Sequence, residues 1–352
     1  MNPTVCIASW MIATPVSAEF LTAFHTAAGG ADTLRFDHFM DLALYHPSLG
    51  YYRRDRTRIG FEAGADFYTA SMSAAFGEII AEAALARLGR AEAEACTFVE
   101  IGAESPGGVL HGVAHPFATT RTVRLGEVLA LAGRCVVFSN ELFDAQPFRR
   151  FVFRRGAWRE LGVRALREGL AEVELESDLP SVLPPAAPEG YRIDAPLAAA
   201  ALAETIASAA WTGLFLACDY GRAWSEISSE TPAGTARAYR SHRQAEDLLA
   251  CPGEQDLTCH LCWDWMADAL RRQGFASPEI DSQEAFFVKH ASDYLARVIG
   301  NEAGRFSVRK QSLLQLLHPS NMGRKFQVLH ALRDGKTLAP GVSGAKIDLS
   351  SI

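Results

Sequence analysis

Lysine is scarce in this chain. None precedes Lys289, so arginine supplies the positive charge of the first four-fifths of the sequence. A coding bias toward GC-rich codons accounts for that as readily as any arginine-specific role. Base is not in excess either: 34 Lys and Arg stand against 41 Asp and Glu, a formal net charge of -7. Proteins that capture nucleic-acid backbone by charge carry the opposite balance, so no nucleic-acid partner is expected. No apolar run reaches the roughly 18 residues that a membrane-spanning helix needs, and no membrane span is expected. The seven cysteines are odd in number and dispersed through a long chain, which argues against a disulfide scaffold. Cys259-His260-Leu261-Cys262 has the spacing of a zinc or redox pair, but no second pair sits at ligand spacing. The favoured reading is small buried hydrophobes, and no metal is expected. Met1 to Ala18 is mildly apolar but lacks a basic leading region, which disfavours a cleaved signal peptide. A cytoplasmic location is expected.

What remains is the composition of a globular protein: 352 residues, 49% apolar and 21% charged, enough chain for one large domain or two ordinary ones. Phe36, Phe39, Met40, Ala43 and Leu44 recur at helical spacing, and His46-Pro47 stops the helix. Ser73 to Leu88 reads as a long Ala-rich helix. Thr97 to Gly102, Arg134 to Ser139 and Gly213 to Ala217 are short apolar runs of the kind that form buried parallel strands. Phe148 to Phe153 and Trp158 to Val163 read as a hairpin, Pro180 to Pro188 as a loop, and Pro196 to Ala210 and Cys262 to Arg272 as helices. Thr231 to Glu254 is turn-rich and reads as an insertion. Ala285 to Val288 reads as a late strand, followed by helices over Ser292 to Ile299 and Gln311 to Leu317. Strands alternating with helices predict an α/β fold with a mostly parallel sheet and helices on both faces.

In such a sheet ligands lie beyond the carboxyl ends of the strands. Three strand ends carry acids: Glu100-Ile101-Gly102, Asn140-Glu141 and Asp219-Tyr220-Gly221. A carboxylate there can accept hydrogen bonds from an ammonium, a ribose or a guanidinium. It can equally cap the next helix.

The chain resembles the MidA-like S-adenosylmethionine-dependent methyltransferases. That family is related to the mitochondrial arginine methyltransferase that assists assembly of respiratory complex I. The resemblance rests on Phe39 to Pro47 with Gly50-Tyr51-Tyr52, Gly64 to Thr69, Phe76-Gly77-Glu78, Ser139 to Pro147, Asp219-Tyr220-Gly221, Gly234 to His242 and Pro252 to His260, in the family's order. It implies a Rossmann-like methyltransferase sheet with an N-terminal helical cap and a late insertion. By position this gives an N-terminal segment over residues 1–30, a cap over 31–90, a core over 91–335 with the insertion near 223–260, and a tail over 336–352. It implies S-adenosyl-L-methionine as cofactor, held by Glu100, Gly102, Asp66, Phe67, Thr69 and Glu127. It implies transfer to a protein arginine, with Asn140, Glu141, Asp144 and His260 as catalytic residues and Thr258 on the facing loop. The partner expected is a protein with an accessible arginine.

The chain departs from the family in two places. The expected Gly-x-Gly-x-Gly turn is Gly102-Ala103-Glu104-Ser105-Pro106-Gly107-Gly108, which lacks the middle glycine and brings a carboxylate close to the cofactor's own. Two like charges about 4 Å apart repel by roughly 4 kcal/mol at an effective dielectric of about 20. Between Ser105 and Asn140 the only acid is Glu127, and too few residues separate it from the next strand for a helix and another strand. A helix–strand–helix portion of the usual core is therefore expected to be missing. Glu127 is then either the acid near the adenine or the ribose acid itself. Weak cofactor binding follows, and so does an alternative function: a family member without catalysis, serving as a binding or assembly module. A small-molecule methyltransferase is a third reading.

Overall fold

The apolar runs read as buried strands lie side by side in one six-stranded sheet of the computed structural model, which describes residues 16–53, 74–103, 105–167, 169–240, 243–301, 307–335 and the backbone of 346–348. The sheet order is Ala276–Ser282, Gln327–Arg333, Trp211–Asp219, Gly133–Asn140, Thr97–Ile101, Thr119–Val123. The last four strands run parallel, with Val99 opposite Val137 and Phe215 opposite Val137 on the other side. Gln327–Arg333 runs antiparallel to both of its neighbours.

Alternation along the central strands explains why both faces are covered. Val136, Phe138, Leu214, Leu216 and Cys218 point to one face, against Phe76, Ile79 and Ile80 of the Ala74–Leu88 helix and Phe286 and Phe287. Cys135, Val137, Phe215 and Ala217 point to the other, against Leu202 and Ile206 of the Leu197–Ser208 helix and Met266 and Leu270 of the Trp263–Arg272 helix. The result is a sheet between two helical layers. Each buried Leu, Ile or Phe side chain contributes about 1.5–3 kcal/mol of transfer free energy.

Among the described residues no helix lies between Ile101 and Leu197. The strand Thr119–Val123 pairs directly with Thr97–Ile101, and only nine residues separate it from Gly133. Among the described residues this link holds only the strand Val128–Ala130, which pairs with Lys346–Asp348 outside the sheet, so no helix–strand–helix portion stands there.

A second, five-stranded sheet stands beside the first. Its path is Thr33–Arg35, Ala157–Leu166, Arg149–Arg154, Arg192–Ala195, with Gly169–Leu175 pairing Ala157–Leu166. Only its central hairpin was legible in the sequence. Phe36, Phe39 and Met40 of the Phe36–Tyr45 helix pack on it with Phe148 and Val163. This places the cap over the carboxyl ends of the core strands.

One expected element is corrected. Ala285 to Val288 is not a strand but part of the Gln283–His290 helix. Ser282 accepts the Ala285 N–H as an N-cap, Glu284 sits in the first turn, and Lys289 and His290 sit in the last. Phe286 and Phe287 are both buried while Val288 is 54% exposed, a helical rather than an alternating pattern. No helix among the described residues is long and apolar enough to cross a membrane.

Candidate active site

The parallel strands end in a single cavity of about 1670 Å3. That exceeds the several hundred Å3 of an ordinary small-ligand pocket and leaves room for a cofactor and part of a second substrate. Asn140, Glu141, Asp144 and His260 line it together with Glu100 and Gly102. So do Tyr45 and Tyr52 of the cap, Tyr220, Tyr239, Arg237, Asp256 and Thr258.

The acid-bearing turn is built by the neighbouring strand. Glu141 has a left-handed backbone (φ 50°), which turns the chain sharply at the strand end, and its N–H donates to the Cys218 carbonyl at 3.0 Å. Asp219, fully buried, then accepts the N–H groups of Phe143 at 3.0 Å, Asp144 at 3.3 Å and Tyr220 at 2.8 Å. The opposing loop is tied on by the Cys259 N–H, which donates to the Asp144 carbonyl at 3.1 Å. The His260 N–H donates to Thr235 Oγ1 at 3.3 Å.

Three oxygens on this wall are buried and thinly satisfied: Asn140 Oδ1 has no hydrogen-bond partner, and Asp144 and Thr258 share the single hydroxyl of Tyr220. Two of them can only accept. An unsatisfied buried polar group costs about 1–3 kcal/mol, more when charged. Oxygens with so few donors between them suit a ligand rich in N–H groups.

The electrostatics point the same way. Burial raises the Asp144 carboxyl to about 6, with the Tyr220 hydroxyl holding it down in part. Burial and the nearby Asp144 charge raise Asp219 well above the usual carboxylate range. Burial keeps Tyr45, Tyr52 and Tyr220 neutral. Tyr45 donates to the Ala145 carbonyl at 2.9 Å, Tyr52 to Asp256 Oδ1 at 2.8 Å, and the two rings stack at 5.5 Å. Aromatic faces beside buried acids favour a cation.

His260 is not placed as a base. Burial lowers it to about 4, assisted by Arg222 and Arg237. Arg222 Nε donates to its Nδ1 at 3.2 Å, which fixes the ring proton on Nε2. The imidazole therefore presents a donor and packs edge-on against Tyr220 at 5.6 Å.

Of the residues that the resemblance assigns to the cofactor, Glu100 and Gly102 line the same cavity. Gly102 has φ +79°, and a Cβ there would stand 2.9 Å from Leu142 Cδ1. Glu100 is 6% exposed, and its Oε2 accepts the Val109 N–H at 2.6 Å, holding the 105–112 turn. A Cβ on Gly108 would strike that same oxygen at 2.3 Å. Glu127 does not line the cavity. It is exposed, four residues beyond the second strand, and its carboxylate accepts the Arg124 N–H at 2.9 Å. Arg124 and Leu125 occupy the strand end where a ribose acid is expected. Asp66, Phe67, Thr69 and Glu104 lie outside the described residues.

Asp219, Tyr220, Tyr239, Arg237, Asp256 and the two cap tyrosines were not singled out by role from the sequence. The Asp219-Tyr220-Gly221 strand end was the available signal for the first two. The others reach the cavity by packing between distant segments. Cys259 and Cys262 are buried free thiols, both pushed up by burial, Cys262 to about 12.

Residues 119–280 match a family model described as "Putative S-adenosyl-L-methionine-dependent methyltransferase". Two solved structures of Burkholderia thailandensis proteins share the fold. One, a COG1565 superfamily member bound to S-adenosyl-homocysteine, superposes with a TM-score of 0.77 at 23% identity, covering 96% of this chain and 97% of that one. The other, an uncharacterized COG1565 superfamily protein, gives 0.71 at 21% identity, covering 94% and 99%. The chain thus has the Rossmann-like fold of these COG1565 proteins. No curated protein matches its sequence.

Proposed function

We propose that this chain is an S-adenosyl-L-methionine-dependent methyltransferase acting on the guanidinium of a protein arginine. One observation carries the substrate class: the buried oxygens of Asn140, Asp144 and Thr258 on one cavity wall, the first without a partner and the other two sharing only the Tyr220 hydroxyl. A guanidinium offers five N–H donors in a planar fork, and this wall offers oxygens and a carboxylate to receive them.

The cofactor residues fit in part. Gly102 and the Glu100-anchored turn give backbone close access at the first strand end. Arg124 at the second strand end supplies no acceptor for a ribose hydroxyl. When bound, S-adenosylmethionine supplies an electrophilic methyl group. The protein's own residues do the rest. Glu141 and Asp144 grip the guanidinium, concentrate its charge on one nitrogen and free the lone pair of another. Asp144 Oδ1, with a carboxyl at about 6, accepts the proton that the alkylated nitrogen sheds near neutral pH. Tyr45, Tyr52 and Tyr220 exclude water and strengthen each charge–charge contact. His260, donating from Nε2, orients an acceptor on the substrate rather than taking its proton.

A second reading, a non-catalytic binding or assembly module, is favoured by one feature: the exposed position of Glu127 and the basic Arg124 in place of a ribose acid. The two readings separate in one experiment. The protein is incubated with labelled S-adenosylmethionine and arginine-containing peptides, and S-adenosylhomocysteine binding is measured alongside. Label on arginine supports the enzyme. Peptide binding without label supports the module.

A further inference from the structure

Beneath the outer edge of the core sheet, three ligand-type side chains converge outside the cavity. Asp281 is next to last in the Ala276–Ser282 strand, His290 ends the Gln283–His290 helix, and His330 lies mid-way along Gln327–Arg333. A carboxylate oxygen of Asp281 and one ring nitrogen from each histidine all lie within 4.8 Å of one another. We propose that Asp281, His290 and His330 bind one divalent transition ion of the zinc class, with a fourth position left to water.

Several observations support a built site. His330 is fully buried, and the buried Nε2 of His290 has no hydrogen-bond partner. A structural His330–Asp281 pair leaves that nitrogen unexplained. His330 Nε2 and Asp281 Oδ2 stand 3.1 Å apart, near the roughly 3.3 Å that separates two ligands about 2.0–2.1 Å from a tetrahedral ion. His290 belongs to the last turn of its helix, where a rotation of the side chain can close the remaining distance. Phe286 packs against both imidazoles, at 5.0 and 4.9 Å, and gives the cluster an apolar wall. Asp281 is 26% exposed on its side chain, so solvent reaches the open position.

The surrounding charge is balanced. Lys289 lies 3.7 Å from Asp281 and Arg87 faces both histidines, but Glu279 pairs with Lys289 at 2.9 Å and with Arg87 at 3.6 Å. Two cations and two carboxylates leave no net repulsion for an incoming ion. Two imidazoles and one carboxylate suit zinc over magnesium or calcium.

The test uses the full chain, stripped with EDTA and desalted. Zn2+ is titrated calorimetrically, and Co2+ by visible absorption. One ion per chain and a Co2+ spectrum of low-coordinate nitrogen–oxygen ligation are expected. His290→Ala and Asp281→Asn should each weaken Zn2+ by at least about 100-fold, while Cys262→Ser leaves it unchanged. His290 is near the surface, and His290→Gln serves if the alanine variant fails to fold by circular dichroism. Absence of binding in the wild type would overturn the proposal. So would affinity that survives both ligand variants, or a thiolate charge-transfer band that disappears in Cys262→Ser.

Discussion

Asp144→Asn should stabilise the protein while abolishing its activity. The wild-type carboxyl is 3% exposed and sits at about 6, against 3.8 for the free side chain, chiefly through burial. Between those two values the unfolded chain has released this proton and the folded chain has not. The native state then binds more protons than the unfolded one, so stability falls as pH rises from about 4 to about 6 and stays lower above. A shift of about two units corresponds to at most roughly 3 kcal/mol at pH 7. Asparagine keeps the shape and removes the charge that must be buried. Urea unfolding at pH 4, 5, 6 and 8 should therefore show the variant gaining on the wild type with rising pH, by about 1–3 kcal/mol at the plateau. Methyl transfer to an arginine peptide should fall by at least about 100-fold in the same variant, since a charge-assisted contact worth about 1.5–3 kcal/mol is lost where it matters most. That trade of stability against activity marks a carboxylate retained for function. A variant less stable than wild type at pH 8 would refute the reasoning. It would mean that the Asp144 charge is compensated within the protein and serves the fold.

Other outcomes follow from the same geometry. Glu141→Gln keeps the acceptor that receives Asn140 Nδ2 at 3.1 Å, so steady-state assays should show turnover down by about 100-fold with S-adenosylhomocysteine binding nearly intact. Calorimetry should give an S-adenosylhomocysteine dissociation constant above about 100 μM, a binding energy below roughly 5.5 kcal/mol, because Arg124 stands where a ribose acid is expected. Glu104→Gly should tighten that constant; no change would place the carboxylate away from the cofactor. Gly102→Val meets both a φ of +79° and Leu142 at 2.9 Å, so it should lower the melting temperature and lose S-adenosylhomocysteine binding; a variant that keeps both would remove this turn from the site.

The sequence spoke most clearly where one physical rule acted alone. Val136-Val137-Phe138 and Leu214 to Ala217 are buried on both faces, and unbroken apolar runs of that kind have few other homes. The short link between Val123 and Gly133 left no room for a helix and a strand, so the reduced core was legible from length alone. In the Gln283–His290 helix, Phe286-Phe287-Val288 satisfies a buried-strand pattern too; the flanking Ser282 cap and Lys289-His290 end are the signals that mark a helix. The second sheet was harder. Its strands at Thr33–Arg35 and Arg192–Ala195 are three and four residues long, and the first pairs with Gly162 to Arg164 and the second with Arg149 to Val152, which no local signal reveals.

The candidate site divides in the same way. Asn140, Glu141 and Asp144 could be placed because they follow a strand. Glu127 is the only acid in its interval, but place along the chain fixes no direction for a side chain, and its carboxylate faces its own turn. Asp219 could be placed at a strand end, but its task of holding the Phe143–Asp144 amides depends on a neighbour 75 residues away. Tyr45, Tyr52 and Asp256 meet only when the cap folds down.

The most direct test of the central claim is mass spectrometry of an arginine-containing peptide incubated with the wild-type chain and saturating labelled S-adenosylmethionine. The account predicts a labelled methyl group on a guanidinium nitrogen, formed at least about 100-fold more slowly by Asp144→Asn. Label on lysine or on a carboxylate, or no label on a peptide that binds, would contradict it.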